Sequence, residues 1–130
     1  MTKVFIDGSA GTTGLRIYER LNDRKDIELL ILPEELRKNT DARRQMLSLA
    51  DIAFLCLPDK AAVEAVSLIE NDHVAVIDTS MAHRTNENWA YGFAELSAAH
   101  REVIRSSKRI ANPGCHASGF ISTVYPLVAN

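Results

Sequence analysis

Cysteine, clustered basic residues and long apolar runs are all scarce in this chain, and each shortage removes a class of protein. Cys56 and Cys115 are the only cysteines, enough for one bridge at most, so no disulfide framework organises the fold. A zinc site built from Cys56, Cys115 and His116 would lack paired, short-spaced ligands. Lys and Arg number 15 against 17 Asp and Glu, a formal charge of −2 with no basic run. The long-range field that gathers nucleic acid or anionic lipid is therefore missing. The longest apolar stretch, Ile52 to Pro58, is far shorter than the roughly 20 residues of a membrane-spanning helix. Met1-Thr2-Lys3-Val4 leads straight into strand-like sequence rather than a signal-peptide profile. We expect no nucleic-acid partner, no membrane and a cytoplasmic location. Internal repeats, low-complexity tracts, a G-x-S-x-G elbow and a paired-carboxylate arrangement are absent as well.

What remains is the raw material of one globular domain. Of the 130 residues, 46% are hydrophobic, and a chain of this size buries roughly two-thirds of its unfolded surface without metal or disulfide staples. Lys3 to Asp7 reads as a buried strand, and Leu15, Tyr18 and Leu21 then repeat at helical spacing. Ile27 to Leu32 is a second strand stopped by Pro33. Thr40 is the expected N-cap of a helix with Ala42, Met46 and Leu49 on one face. Ile52 to Leu57 is a third strand, followed by a helix with Ala62, Ala65, Val66 and Ile69 inward, and Val74 to Asp78 a fourth. Continuous apolar strands alternating with helices predict a Rossmann-like, doubly wound, mostly parallel α/β sheet with helices on both faces. Beyond Asp78 we expect a short strand in Trp89 to Phe93 and a helix over Ser97 to Arg105 with Leu96, Ala99 and Val103 inward. A further strand is expected at Arg109 to Ala111, then a last helix carrying Phe120, Val124, Leu127 and Val128 on one side. Pro126 should kink or end that helix by removing its bond to the Ser122 carbonyl. The chain stops at Asn130 while this helix is still running, which leads us to expect more protein beyond it.

Three of the six glycines fall in Gly8-Ser9-Ala10-Gly11-Thr12-Thr13-Gly14, between the first strand and the first helix. Backbone N–H groups and the positive end of a helix would there face an anion at the carboxyl edge of the sheet, and a pyrophosphate fits. The spacing is G-x-x-G-x-x-G rather than G-x-G-x-x-G, so its place in a β-α-β unit is the stronger argument for a dinucleotide. The end of the second strand carries Glu34 and Glu35, which suit a bare ribose, and Arg37 and Lys38, which suit a 2′-phosphate. This chemistry leaves NAD and NADP open.

Asn112-Pro113-Gly114 turns the chain sharply and sets Cys115 in the first turn of the last helix, where exposed N–H groups favour a nucleophilic thiolate. Cys56, between Leu55 and Leu57, reads instead as a packed, inert thiol. His83 and Arg84 follow the fourth strand on the edge where ligands collect, suited to a phosphate or carboxylate. His116 neighbours Cys115 but points to a different helix side.

These residues coincide with a known family. The glycine turn, Leu55-Cys56-Leu57-Pro58, Asp78-Thr79-Ser80-Met81-Ala82-His83-Arg84-Thr85, Tyr91-Gly92-Phe93-Ala94-Glu95-Leu96 and Asn112-Pro113-Gly114-Cys115 together resemble N-acetyl-gamma-glutamyl-phosphate reductase, particularly its shorter type 2 branch. The likeness runs in order along essentially the whole chain. It implies an NADPH-dependent reduction of N-acetylglutamyl 5-phosphate to the 5-semialdehyde, a step of arginine biosynthesis, with Cys115 as the nucleophile that carries a thioester. It further implies that Gly8, Ser9, Gly11, Thr12, Thr13, Gly14, Leu57 and Pro58 bind the cofactor, and that Ser80, His83 and Arg84 border the substrate. The enzyme implied takes a small-molecule substrate and is a homo-oligomer at full length. Two features depart from the pattern. His116-Ala117-Ser118-Gly119 stands where the family has Tyr-Pro-Thr-Gly, and the second, substrate-binding and dimerisation domain, with its acid/base histidine, is absent from residues 1–130. If these residues are the whole polypeptide, cofactor binding with negligible turnover is expected. The alternatives are an aspartate-semialdehyde dehydrogenase-like enzyme and a nucleotide-binding module without chemistry.

Overall fold

The computed structural model describes residues 1–129, in which strand and helix alternate except between Asp78 and Ala90, where one strand follows another. β1 (Thr2–Asp7) feeds α1 (Thr12–Leu21), β2 (Ile27–Leu30) feeds α2 (Thr40–Leu49), and β3 (Ile52–Leu55) feeds α3 (Asp59–Ser67). β4 (Ala75–Asp78), β5 (Ala90–Tyr91), α4 (Ala98–Ser106), β6 (Arg109–Ala111) and α5 (Cys115–Val128) follow. The six strands pair in the order β2-β1-β3-β4-β6-β5, every pair parallel, with Val4 opposite Leu29 on one side and Ile52 on the other. The order reverses beside β1, so the carboxyl ends of β1 and β3 border the crevice where open sheets of this kind take ligands. Right-handed crossovers in this order put α1 on one face and α2 and α3 on the other. The Arg43–Glu64 contact between α2 and α3 agrees with that placement. The expected doubly wound α/β fold is what forms. Among the described residues no helix is long and apolar enough to cross a membrane.

The core gathers Phe5, Leu32, Leu47, Ala50, Ala53, Leu55, Ala65, Leu68, Val74 and Val76, with Ala42, Met46, Val66 and Ile69 packed against it. Three local expectations are corrected, and a fourth, at Pro126, is narrowed. Asn39, not Thr40, caps α2: its backbone is extended and its side chain accepts from the Ala42 amide at 2.9 Å, leaving Thr40 as the first helical residue. That cap sets the phase of α2, so Arg43 and Leu47 are buried while Leu49 is half exposed. In α4, Ser97 caps the His100 amide and meets the His100 ring nitrogen at 2.7 Å. His100 and Ile104 are thereby partly buried, and Ala99 and Val103 lie outside. Pro126 does not end α5; the helix runs on to Val128 because one missing donor in the last turn is a local loss and the Ala129 amide still reaches the Tyr125 carbonyl.

An ion pair, Asp7 with Arg43, is buried beside this core. Asp7, the last residue of β1, accepts from Arg43 Nε at 3.0 Å and Nη2 at 2.9 Å, and Arg43 Nη1 lies 3.3 Å from Glu64. Burial pushes the Asp7 carboxyl above its ordinary range, outweighing the opposing pull of Arg43. Arg43→Met should therefore destabilise the fold by about 3–5 kcal/mol at pH 7, because it strands a buried carboxylate. The Asp7 folded-state value then rises further. Its destabilising contribution is smallest below the unfolded carboxyl value and grows as pH rises through the folded one. Chemical denaturation should show the deficit shrinking from pH 7 towards pH 4, and a pH-independent deficit would contradict this account.

Candidate active site

The glycine turn closes against the rest of the sheet edge by contacts that tolerate no side chain. Gly8 has a φ of 86°, and a Cβ there would stand 2.3 Å from the Cys56 carbonyl oxygen. A Cβ on Gly14 would stand 2.4 Å from the Gly8 carbonyl oxygen. Gly11 is different: a Cβ on it meets only ordinary contact, 3.5 Å from the same oxygen. It is the N-cap of α1, and no side chain satisfies the amides of the turn that follows, Thr12, Thr13 and Gly14. Two glycines thus serve the fold and the third leaves room. The same division holds among the helices. α2 and α4, at the two rims of the sheet, are capped by Asn39 and Ser97, whereas α1, α3 and α5, rising from interior strands, have no side-chain cap. Open N-termini at the middle of the carboxyl edge are what an anionic ligand needs.

A cleft of about 690 Å³ opens beside the turn. Gly8, Ser9 and Leu57 line it, with Leu15 and Tyr18 of α1 and Ile31 beyond β2 as apolar walls. Leu15 and Ile31 are exposed, so the apolar face of α1 turns partly to this cleft rather than to the core. Pro58 stands next to Leu57 as the N-cap of α3. Arg37, Lys38 and Arg43 bring positive charge to the cleft. Arg43 is neutralised by Asp7 and Glu64, but Arg37 and Lys38 have no ion-pair partner among the described residues. Glu34 and Glu35, in the 3-10 turn just before them, do not line it.

On the same edge, β6 ends at Ala111 and α5 starts at Cys115, which is exposed. Arg84 bridges to this point from the loop after β4. Its Nε donates to the Asn112 carbonyl at 3.0 Å and its Nη2 to the Thr79 carbonyl at 3.1 Å. Nη1 would stand 2.6 Å from a Cβ on Gly114, so the absent side chain at 114 lets the guanidinium lie against the backbone just before the thiol. Ser80 and His83, expected at the border of the site, are instead buried and hydrogen-bonded to Asp78. Cys56 is half-buried, and burial pushes its thiol up to about 11. That burial disfavours the Cys56 thiolate, and Cys115 is the exposed thiol of the two.

The protein-family model described as semialdehyde dehydrogenase, NAD binding domain, matches residues 3–105. The chain belongs to this family. Curated relatives called N-acetyl-gamma-glutamyl-phosphate reductase are 55% identical over 128 residues in Mesorhizobium japonicum and 51% identical over 127 residues in Trichormus variabilis. Each alignment covers 98% of this chain but only 42% and 39% of those relatives, so the chain spans about two-fifths of their length. Among solved structures, aspartate semialdehyde dehydrogenase with NADP from Candida albicans superposes with a TM-score of 0.69 at 16% identity, over 99% of this chain and 47% of that one. Aspartate semialdehyde dehydrogenase II from Vibrio cholerae gives 0.65, also at 16% identity, over 98% and 42%. These likenesses place the fold among the semialdehyde dehydrogenases.

For an NAD-binding domain of this family the division of labour among the glycines is testable. Gly14→Ala should lower the melting temperature sharply, since backbone must shift to admit the methyl group. Gly11→Ala should fold with near-parental stability yet weaken dinucleotide binding at least tenfold. Equal loss of stability in the two variants would show that the middle glycine serves the turn and not a ligand.

Proposed function

We propose that this domain binds NADPH and forms the catalytic half of an N-acetyl-gamma-glutamyl-phosphate reductase, converting N-acetylglutamyl 5-phosphate to the 5-semialdehyde in arginine biosynthesis. The observation that carries the proposal is Cys115, exposed at the uncapped start of α5 one residue after the Gly114 backbone on which the Arg84 guanidinium lies, on the same sheet edge as the nucleotide cleft. The curated relatives supply the substrate.

The cleft fits the cofactor. The open amides of Thr12, Thr13 and Gly14, with Gly8, Ser9 and the free space at Gly11, would hold the pyrophosphate. Leu57, with Pro58 behind it, would border the cofactor on the β3 side. Arg37 and Lys38, unpaired at the far end of the cleft, would take a 2′-phosphate, which favours NADP over NAD. When bound, the cofactor supplies a hydride.

The residues of this domain would form and carry the thioester. Cys115 Sγ attacks the acyl carbon, a carbon–sulfur bond forms, and the carbon–oxygen bond to phosphate breaks, so inorganic phosphate leaves and a thioester remains. Arg84 Nη1, which has no acceptor among the described residues, is placed to neutralise the departing phosphate. With a dinucleotide bound, its hydride would add to the thioester carbon, and the tetrahedral oxyanion would re-form a carbonyl as the carbon–sulfur bond breaks, releasing the aldehyde and restoring the Cys115 thiolate. We place the enzyme in the cytoplasm and, at full length, in a homo-oligomer; the exposed Phe120, Leu127 and Val128 of α5 support burial of that helix in the assembly.

The test is to mix the chain with N-acetylglutamyl 5-phosphate and follow phosphate release together with the mass of the peptide containing Cys115. One N-acetylglutamyl group on Cys115 per phosphate released is the expected result. Acylation by aspartyl phosphate alone, or phosphate release without a thioester, would overturn the proposal.

A further inference from the structure

The two carbonyls that Arg84 grips can hold its guanidinium against Gly114 only if the backbone at 84 is itself held. That segment hangs from Asp78, the fully buried last residue of β4. Asp78 Oδ1 accepts from the Ser80 amide at 2.9 Å, and Oδ2 accepts from Ser80 Oγ at 2.7 Å. His83 Nδ1 lies 2.6 Å from the same Oδ2, and a carboxylate acceptor there assigns the Nδ1 proton to the ring. Ser80 Oγ also accepts from the Ala82 amide at 3.2 Å, and the Met81 amide donates to Asp59 at the start of α3. The His83 ring lies flat on Trp89, centroids 4.0 Å apart and planes 15° from parallel. His83 is therefore fixed on one edge and one face, immediately before Arg84. It is only 7% exposed.

We propose that His83 is a positioning residue for the Cys115 site: its bond to Asp78 and its stack on Trp89 fix the backbone of residues 83–84, so that Arg84 Nη1 stays beside the nucleophile. An arginine side chain free to rotate loses rotamer entropy on being ordered, and a misplacement of about 1 Å is costly at a reacting centre. Anchoring the preceding residue removes part of that cost in advance. The inference rests on the reading of Arg84 as the anion-binding group next to Cys115, and the experiment separates the two.

The probe is the ratio of alkylation rates at Cys115 with anionic iodoacetate and neutral iodoacetamide, the label located by peptide mass. A unit positive charge meeting the incoming anion at roughly contact distance in water favours iodoacetate by about fivefold. Arg84→Met should abolish that preference. His83→Asn puts an amide N–H where Nδ1 stood and should keep the ratio within twofold of the parent. His83→Gln, equally polar but with its donor displaced, should fall to the Arg84→Met value. NADPH affinity, carried by the glycine turn, Arg37 and Lys38, should be unchanged in all three and reports an intact fold. An unchanged ratio in Arg84→Met would defeat the reading of Arg84. A drop in Arg84→Met with the parental ratio in His83→Gln, or with an equal loss in His83→Asn, would defeat the positioning role alone. Should His83→Gln lose NADPH binding, Asp78→Asn reads the same hydrogen bond from its other end, and a parental ratio there overturns the proposal.

Discussion

Cys115→Ser should lower the rate of phosphate release from N-acetylglutamyl 5-phosphate by at least about a thousandfold while leaving NADPH affinity within twofold. The two halves of that expectation have separate causes. Sulfur is intrinsically nucleophilic, whereas a serine hydroxyl needs an adjacent base, and no histidine or carboxylate is hydrogen-bonded to residue 115 among the described residues. Residue 115 is exposed, so the exchange should change stability by no more than about 0.5 kcal/mol, and the glycine cleft is built from β1, α1 and β2 rather than α5. Stopped assays on both variants, with NADPH binding followed by fluorescence, decide the matter. A serine variant that retains a tenth of the parental rate would remove Cys115 from the chemistry.

The second large effect concerns the cofactor. Replacing Arg37 and Lys38 together by Ala should weaken NADPH about a hundredfold and NADH no more than threefold. Hydrogen bonds to a charged group contribute roughly 1.5–3 kcal/mol each, and exposure of both side chains argues for the lower figure at each. Two such contacts amount to about 3 kcal/mol, which is the hundredfold change. Arg43 cannot take over, because its guanidinium is committed to Asp7 and Glu64. Raising the salt concentration should erode the parental preference for NADPH, since these contacts are screened. Titrations of both nucleotides by isothermal calorimetry provide the measurement. Equal weakening of NADPH and NADH would mean that the two cations shape the cleft without reading the 2′-phosphate.

Much of this was visible along the chain. Every strand and helix lay close to where periodicity and the Gly, Pro and Asn breaks set it, because each signal is carried by neighbours in sequence. Misplacements were of phase rather than kind. The inward lines of α2 and α4 depended on the caps Asn39 and Ser97, and a one-residue change of cap turns a helix by about 100°. The three glycines looked equivalent as a motif. Their different duties emerge only when the Cys56 carbonyl, 48 positions away from Gly8, is brought against the turn.

Composition and pattern alone determined that this is a parallel α/β domain with a dinucleotide turn at one end and a cysteine opening a helix at the other. Folding alone decided which charges matter. It turned Arg37 and Lys38 into the cleft and left Glu34 and Glu35 off its wall. It spent Arg43 on Asp7 across 36 residues, buried His83 against Asp78, and carried Arg84 to Asn112 across 28. The physical reason is that secondary structure is written in local spacing, whereas the partner of a charged side chain is set by strand order and packing, which bring together segments that share no local signal.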